Sequence, residues 1–252
     1  MDRYHPRPTS ALDWLRVAIY YLYIALATVV LGLWGLPQAL RGRKAAQRVA
    51  TVWLRQMMGA ARLILGVSVE VRGTPPAGDC LIAAKHQSFL DILALAQACP
   101  GRAFVMKREV MRVPIMGWFA RQVGSIPIDR ARGKDAMKQI AAEVAAAHAR
   151  PEGLGQLIFY PEGTRTRPGQ TVPYKHGVGS IQRLTGLPIV PVAVNCGLFW
   201  PKRGYPIRRG TAIIEFLPPM LPGPRASEVM ETLAERIEGA SDRLLDEAGF
   251  QR

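Results

Sequence analysis

The stretch C-L-I-A-A-K-H-Q-S-F-L-D, Cys80 to Asp91, decides how the chain is read. Cys80 to Ala84 is an apolar run of strand length, and Phe89 to Cys99 is an Ala/Leu-rich run that reads as a helix. His86 therefore lies where a buried strand stops and a helix begins, with Gln87 or Ser88 available as N-cap. Open α/β sheets bind ligands in the crevice beyond the carboxyl ends of their strands, and this position puts His86 at that crevice. Asp91 falls in the first helical turn, close enough to fold back on the imidazole. A carboxylate on one ring nitrogen fixes the tautomer and stabilises the imidazolium, so His86 is a candidate general base. An acidic residue in a first turn also serves the helix N-terminus, which leaves a purely structural role open for the pair.

Working outward, the chain alternates from Val67 onward. Val67–Arg72, Leu81–Ala84, Ala103–Met106, Gly124–Ile128, Gln156–Tyr160, Ile189–Val194 and Ala212–Leu217 read as strands, rich in Val, Ile and Phe and bounded by Gly or Pro. Helical patterns lie between several of them: Leu90–Cys99, Glu109–Gln122, Lys134–His148 and Gly177–Thr185. Ser227–Ala248 closes the chain as a charged amphipathic helix. Strand–helix alternation predicts an α/β fold, a single domain whose mostly parallel sheet is flanked by helices. Residues 67–252 are the expected catalytic domain, preceded by membrane-associated helices over residues 1–66.

That N-terminal part is distinctive in charge and in grease. The 252 residues carry a formal charge of +14, which asks for an anionic partner. Residues 1–62 hold nine Lys/Arg against two Asp, so half of the excess lies beside the most apolar stretch. Such a placement favours a bilayer with anionic lipids over nucleic acid. Val17 to Leu36 is 20 residues without a formal charge, bracketed by Trp14 and Trp34, the length and flanks of a membrane helix. Lys/Arg flank both ends, so spanning and re-entrant arrangements are both compatible. From Ala45 to Gly66, Lys44, Arg48, Arg55 and Arg62 fall on one helical stripe and Ala46, Ala50, Trp53, Met57 and Ile64 opposite. This is the pattern of a helix in the headgroup plane, and equally that of a helix packed on the domain. Cys80, Cys99 and Cys196 have neither disulfide nor zinc spacing and read as core residues of a reducing compartment.

Two further segments end strands with chemistry. G-S-I-P-I-D-R (Gly124 to Arg130) closes with a carboxylate and a guanidinium, and F-Y-P-E-G-T-R (Phe159 to Arg165) does the same. Arg130 and Arg165 are fork-shaped donors suited to phosphate or carboxylate, and Lys107 comes just after the Ala103–Met106 strand as a further point charge. Each turn alone is ordinary. Their recurrence after strands of one parallel sheet places them at a common edge with His86.

These blocks resemble the glycerolipid acyltransferases, the family typified by 1-acylglycerol-3-phosphate (lysophosphatidate) acyltransferases. The likeness runs over roughly residues 80–195. It consists of His86 with Asp91; Gly124, Ile128, Asp129 and Arg130; Phe159 with Pro161 to Arg165; and Val190-Pro191-Val192. The chain departs at Lys85, where the family often has Asn, and at Pro127, where an aromatic is frequent.

The resemblance implies transfer of a fatty acyl group from a thioester, acyl-CoA or acyl-carrier protein, to the sn-2 hydroxyl of lysophosphatidate. His86 and Asp91 are the implied catalytic pair, and Lys107, Arg130, Glu162, Gly163, Thr164 and Arg165 the implied substrate contacts. Lys85 bears on acceptor choice, and the turn near Gln87–Phe89 would stabilise the oxyanion. No metal or resident cofactor is implied. The implied location is the bacterial inner membrane, with the site on its cytoplasmic side. Two rivals remain at this point: the same chemistry on another lyso-lipid, such as lyso-ornithine lipid, and a non-catalytic membrane-binding protein. A hydrolase built on Ser88 is weaker, because no Gly-x-Ser-x-Gly elbow is present.

Overall fold

Apolar strands alternating with amphipathic helices do form one sheet with helices on both faces. The computed structural model describes residues 10–128, 133–203, 206–223 and 225–251. In order, the elements are α1 (Ala11–Ala39), α2 (Arg43–Ala60), β1 (Val67–Arg72), β2 (Cys80–Ala84), α3 (Phe89–Ala98) and β3 (Ala103–Lys107). Next come α4 (Met116–Gln122), β4 (Ile126–Ile128), α5 (Gly133–His148), β5 (Gln156–Phe159), α6 (Gly177–Thr185), β6 (Ile189–Val194), β7 (Gly210–Phe216) and α7 (Ala226–Glu247). The sheet has seven strands in the order β1-β7-β6-β2-β5-β3-β4. The β6–β7 pair is antiparallel and the other pairs are parallel.

β2 lies inside the sheet with all five residues buried, because both of its faces are covered. Cys80, Ile82 and Ala84 point to the layer of α1 and α3, while Leu81 and Ala83 point to the layer of α5, α6 and α7. This two-residue alternation also sorts the two residues just past the end of β2. His86 continues the row that faces α3, and Lys85 continues the row that faces α7.

The N-terminal helices share the core of the sheet. Val17 and Tyr20 of α1, with Ala60, Ala61 and Leu65, lie in one apolar cluster with β2, β6 and α3. Tyr20 donates its hydroxyl proton to the Met57 carbonyl at 3.2 Å. Gly35 meets the Val49 side chain so closely that a Cβ would collide with it, which is why a residue poor for helices stands there. The other side of α1 is an apolar face, with Leu12, Leu15, Ile19, Leu22, Leu26, Val30, Leu33 and Trp34 exposed. α1 is long and apolar enough to cross a membrane.

α2 carries the stripes read from its sequence, with Lys44, Arg48, Arg55 and Arg62 exposed. Its apolar side, including Met57 and Leu54, packs against α1 and α3, so the helix is a packed one rather than one resting its greasy face in lipid. Its last turn widens to a π-helix over Ala61–Leu65 and stops at Gly66, whose φ of 70° is the left-handed C-cap conformation.

One helix expected from the sequence is broken. Glu109–Gln122 divides into a 3₁₀ turn at Arg108–Arg112 and α4. Pro114 forces Val113 out of the helical region, and Ile115 then sits at a φ of 62°, packed against Gly32 of α1.

Candidate active site

Asp91 makes both of the contacts that its spacing allowed. Its Oδ1 lies 3.0 Å from His86 Nδ1, while Oδ2 accepts the backbone N–H groups of Gln87 at 2.8 Å and Ser88 at 2.6 Å. Ser88 is the N-cap of α3, and its hydroxyl oxygen accepts the Leu90 N–H at 2.9 Å. The carboxylate is wholly buried, so it is held rigidly against the imidazole. With Nδ1 engaged, Nε2 is the ring nitrogen left for chemistry. Tyr160 stacks on the imidazole at 3.9 Å between centroids and 21° between planes, a contact that nothing local in the sequence announces.

The oxyanion role expected of the Gln87–Phe89 turn is overturned in part. The Gln87 and Ser88 N–H groups already donate to Asp91, so they are not available to a tetrahedral intermediate. Packing a carboxylate under the turn and opening the same amides to substrate are incompatible uses.

Glu162 also departs from its expected role. The resemblance makes it a substrate contact, yet its side chain is fully buried and faces away from the cavity. Oε2 accepts the His86 N–H at 2.6 Å, and Oε1 accepts the Thr166 hydroxyl at 2.8 Å and pairs with Lys85 Nζ at 2.9 Å. Burial pushes its carboxyl above the ordinary value, and the Lys85 ammonium opposes that rise. Lys85 is likewise buried rather than turned to an acceptor. Its ammonium donates to Glu238 on α7 at 2.8 Å and to the Gln170 carbonyl at 2.9 Å. Tyr174 and Thr171 donate their hydroxyls to the same Glu238. One buried ammonium thereby ties the His86 turn, α7 and the loop after Arg165 together.

A cavity of about 1420 Å³ opens at the carboxyl edge of the sheet and contains His86. It straddles that edge. On the α1–α4 side it is apolar, walled by Trp53, Leu54, Phe89, Leu93, Phe104 and Phe119. At the edge it is lined by Lys107, Gly163, Thr164 and Arg165, with Lys202 and Arg203 joining from a distant loop. Lys107 ends β3 and is exposed. Gly163 has a φ of 70°, the left-handed conformation that suits a glycine in this tight turn. Arg165 donates from Nη1 to the Lys202 carbonyl at 3.0 Å, which aims its guanidinium along the rim. On the α5–α6 side the wall includes Lys138, Lys175, His176 and Arg183. Asp129 and Arg130 lie outside the described residues.

The candidate covalent nucleophiles are poorly placed. Ser88 is fully buried and its hydroxyl serves as the helix cap. All three cysteines are free and buried; burial pushes the Cys80 and Cys99 thiols up to about 12, and that of Cys196 well above its ordinary value. A base with its orienting carboxylate, facing a cavity part apolar and part cationic, suits proton removal from a hydroxyl on an anionic amphiphile.

Three comparisons bear on this arrangement. A family model described as Acyltransferase matches residues 68–195. The chain is 32% identical over 236 residues to 1-acyl-sn-glycerol-3-phosphate acyltransferase of Pseudomonas aeruginosa, covering 90% of each. It is 34% identical over 141 residues to lyso-ornithine lipid O-acyltransferase of Rhodobacter capsulatus, covering 52% of this chain and 47% of that protein. The crystal structure of the 1-acyl-sn-glycerophosphate acyltransferase of Thermotoga maritima superposes with a TM-score of 0.73 at 21% identity, over 92% of this chain and 97% of that one.

Proposed function

The chain belongs to the acyltransferase family, and from that premise we propose that it acylates the sn-2 hydroxyl of 1-acylglycerol-3-phosphate, forming phosphatidate. The observation that carries this reading is His86, held at 3.0 Å by the buried Asp91 and lining a cavity with one greasy and one cationic part. In the reaction His86 Nε2 takes the proton of the acceptor hydroxyl as its oxygen attacks the thioester carbonyl. The C–S bond then breaks, and the imidazolium returns the proton to the departing thiolate. Asp91 stabilises the imidazolium in between. Arg165, Lys107 and Thr164 meet the acceptor phosphate at the rim, and the apolar wall takes acyl chain. No resident cofactor enters; the thioester is a substrate.

The exposed apolar face of α1 is the part best suited to lipid, and the basic residues of α2 beside it suit anionic headgroups. A site beneath that face receives its acceptor directly from a bilayer. The inner membrane of a bacterium, with the site on its cytoplasmic side, is the location this reading assigns.

A panel of lyso-acceptors offered to purified protein tests the reading. Lysophosphatidate is expected to have the highest kcat/KM. Lyso-ornithine lipid is the second reading, favoured by the match to the Rhodobacter protein, and a higher kcat/KM on it than on lysophosphatidate would replace the first. Arg165→Ala is expected to raise the KM for lysophosphatidate by about one to two decades, the worth of a hydrogen bond to a charged group. An equal rise for an uncharged lyso-acceptor would remove Arg165 from the phosphate.

No acyl-enzyme is expected. Initial rates should follow a ternary-complex pattern, and incubation with donor alone should leave the protein mass unchanged. N-ethylmaleimide at pH 8 should leave activity intact, because thiols held near 12 and buried do not form the reactive thiolate. Parallel-line kinetics with an acylated protein would overturn the direct mechanism.

A further inference from the structure

A ternary mechanism must hold two anionic substrates at once, and the cavity is lined by cations from the sheet edge and from the α5–α6 layer. The first group, Lys107, Arg165, Lys202 and Arg203, stands at the sheet edge. The second, Lys138 on α5 with Lys175 and Arg183 on and before α6, belongs to the opposite helix layer from α1 and α3. Among the described residues, Lys138, Lys175 and Arg183 have no carboxylate partner, although each is exposed and lines the groove. Like charges lining one cavity repel one another, and an anion bound between them relieves that cost.

Lys175 is the best placed of the three. Its backbone N–H donates to the Pro161 carbonyl at 2.9 Å. Its Nζ comes within 2.9 Å of where a Cβ on Gly163 would stand, so the ammonium lies over the same turn that carries Glu162 and Arg165. The cavity that contains His86 is also lined by Gly163, Lys175, Ser180 and Arg183. This branch carries Lys175, His176, Ser180 and Arg183 beside the apolar Met137, Val178 and Leu184, and it lies in the helix layer opposite α1.

Resting on the proposed acyl transfer, we propose that this α5–α6 branch binds the phosphorylated pantetheine arm of the acyl donor, with Lys138, Lys175 and Arg183 on its phosphate. The acceptor is an amphiphile that partitions into the bilayer and arrives from the α1 side; the donor is water-soluble and arrives from the other layer. With the thioester carbon at His86, the polar arm needs a polar channel leading away from the apolar wall. Coenzyme A and the prosthetic group of a carrier protein share this phosphopantetheine chemistry.

The test is steady-state kinetics of the full chain, native and Lys175→Ala/Arg183→Ala, on lysophosphatidate with three donors: acyl-CoA, acyl-carrier protein and the phosphate-free acyl-pantetheine. The charge-reversed pair Lys175→Glu/Arg183→Glu is run alongside, with thermal unfolding of each variant to show that the fold is kept. The expected result is a donor KM raised about tenfold or more by the alanine pair, and further by the reversed pair. The acceptor KM and the KM for acyl-pantetheine should stay within about twofold. A rise with acyl-CoA alone or with acyl-carrier protein alone supports the site and names its source. An unchanged donor KM, or a rise in the acceptor KM instead, overturns it. Failure of the native protein to acylate lysophosphatidate from either phosphorylated donor would overturn the function on which the site rests.

Discussion

His86→Ala lowers acyl transfer by about 10²–10⁴-fold and leaves the thermal unfolding midpoint close to native. The rate loss comes from removing the proposed base, the side chain of the His–Asp pair that lines the cavity. Stability is spared because the backbone contacts of the turn do not need the imidazole. Residue 86 keeps its N–H on Glu162 at 2.6 Å, and its carbonyl keeps the Thr166 N–H at 2.8 Å. Asp91→Asn separates the two roles of that carboxylate. An amide cannot accept from His86, Gln87 and Ser88 at once without presenting an NH₂ to one of the donors. It should therefore lose no more activity than His86→Ala while losing about 1–3 kcal/mol of stability. Steady-state rates and thermal melts on both variants check this; near-native turnover in His86→Ala would end the general-base mechanism.

Lys85→Met has the largest expected effect on stability. The substitution keeps the volume and removes the ammonium between Glu162 and Glu238, leaving buried carboxylates uncompensated. Breaking a buried pair from one side costs about 3–5 kcal/mol. Activity should fall as well, since Glu162 holds the His86 N–H and Glu238 holds the loop after Arg165 through Tyr174. The pH dependence has a definite sign. Glu162 already titrates above its unfolded value of 4.5, so its charged form is the disfavoured one. Without Lys85 that penalty is full at high pH and is relieved as pH falls toward 4.5. Chemical denaturation at pH 8 and near pH 5 should show the Lys85→Met deficit shrinking at the lower pH. A deficit that grew on acidification would place the charge burial elsewhere.

Lys85 also marks how far local reading goes. Its neighbours in sequence are a strand and the proposed base, and nothing in Ala84-Lys85-His86 says which of Lys85 and His86 points to the cavity. Alternation along β2 assigns His86 to the cavity side and Lys85 to α7, but the partner, Glu238, is 153 positions away. Glu162 misleads for the same reason: a Pro-Glu-Gly turn beside a site suggests a ligand contact, whereas its carboxylate points inward to brace the turn. Lys175, Lys202 and Arg203 carry no local signal, because each reaches the cavity from a segment with no pattern of its own, and Tyr160, though within a patterned segment, stacks on an imidazole 74 positions before it.

What the sequence determined by itself was the periodic part: strand and helix spacing, the single α/β sheet, the apolar 20-mer, the stripes of α2, and the His–Asp pair whose five-residue separation lies within one turn. Those features are set by local geometry, where side chains meet because of where they stand along one element. Tertiary structure alone decided the rest. It packed α1 and α2 into the core, paired Lys85 with Glu238, and set cations from β3, the Gly163 turn, α5, α6 and the Lys202 loop around one groove. The physical reason is that burial and charge pairing are properties of surfaces brought together from distant positions, and no window along the chain contains both sides of such a contact.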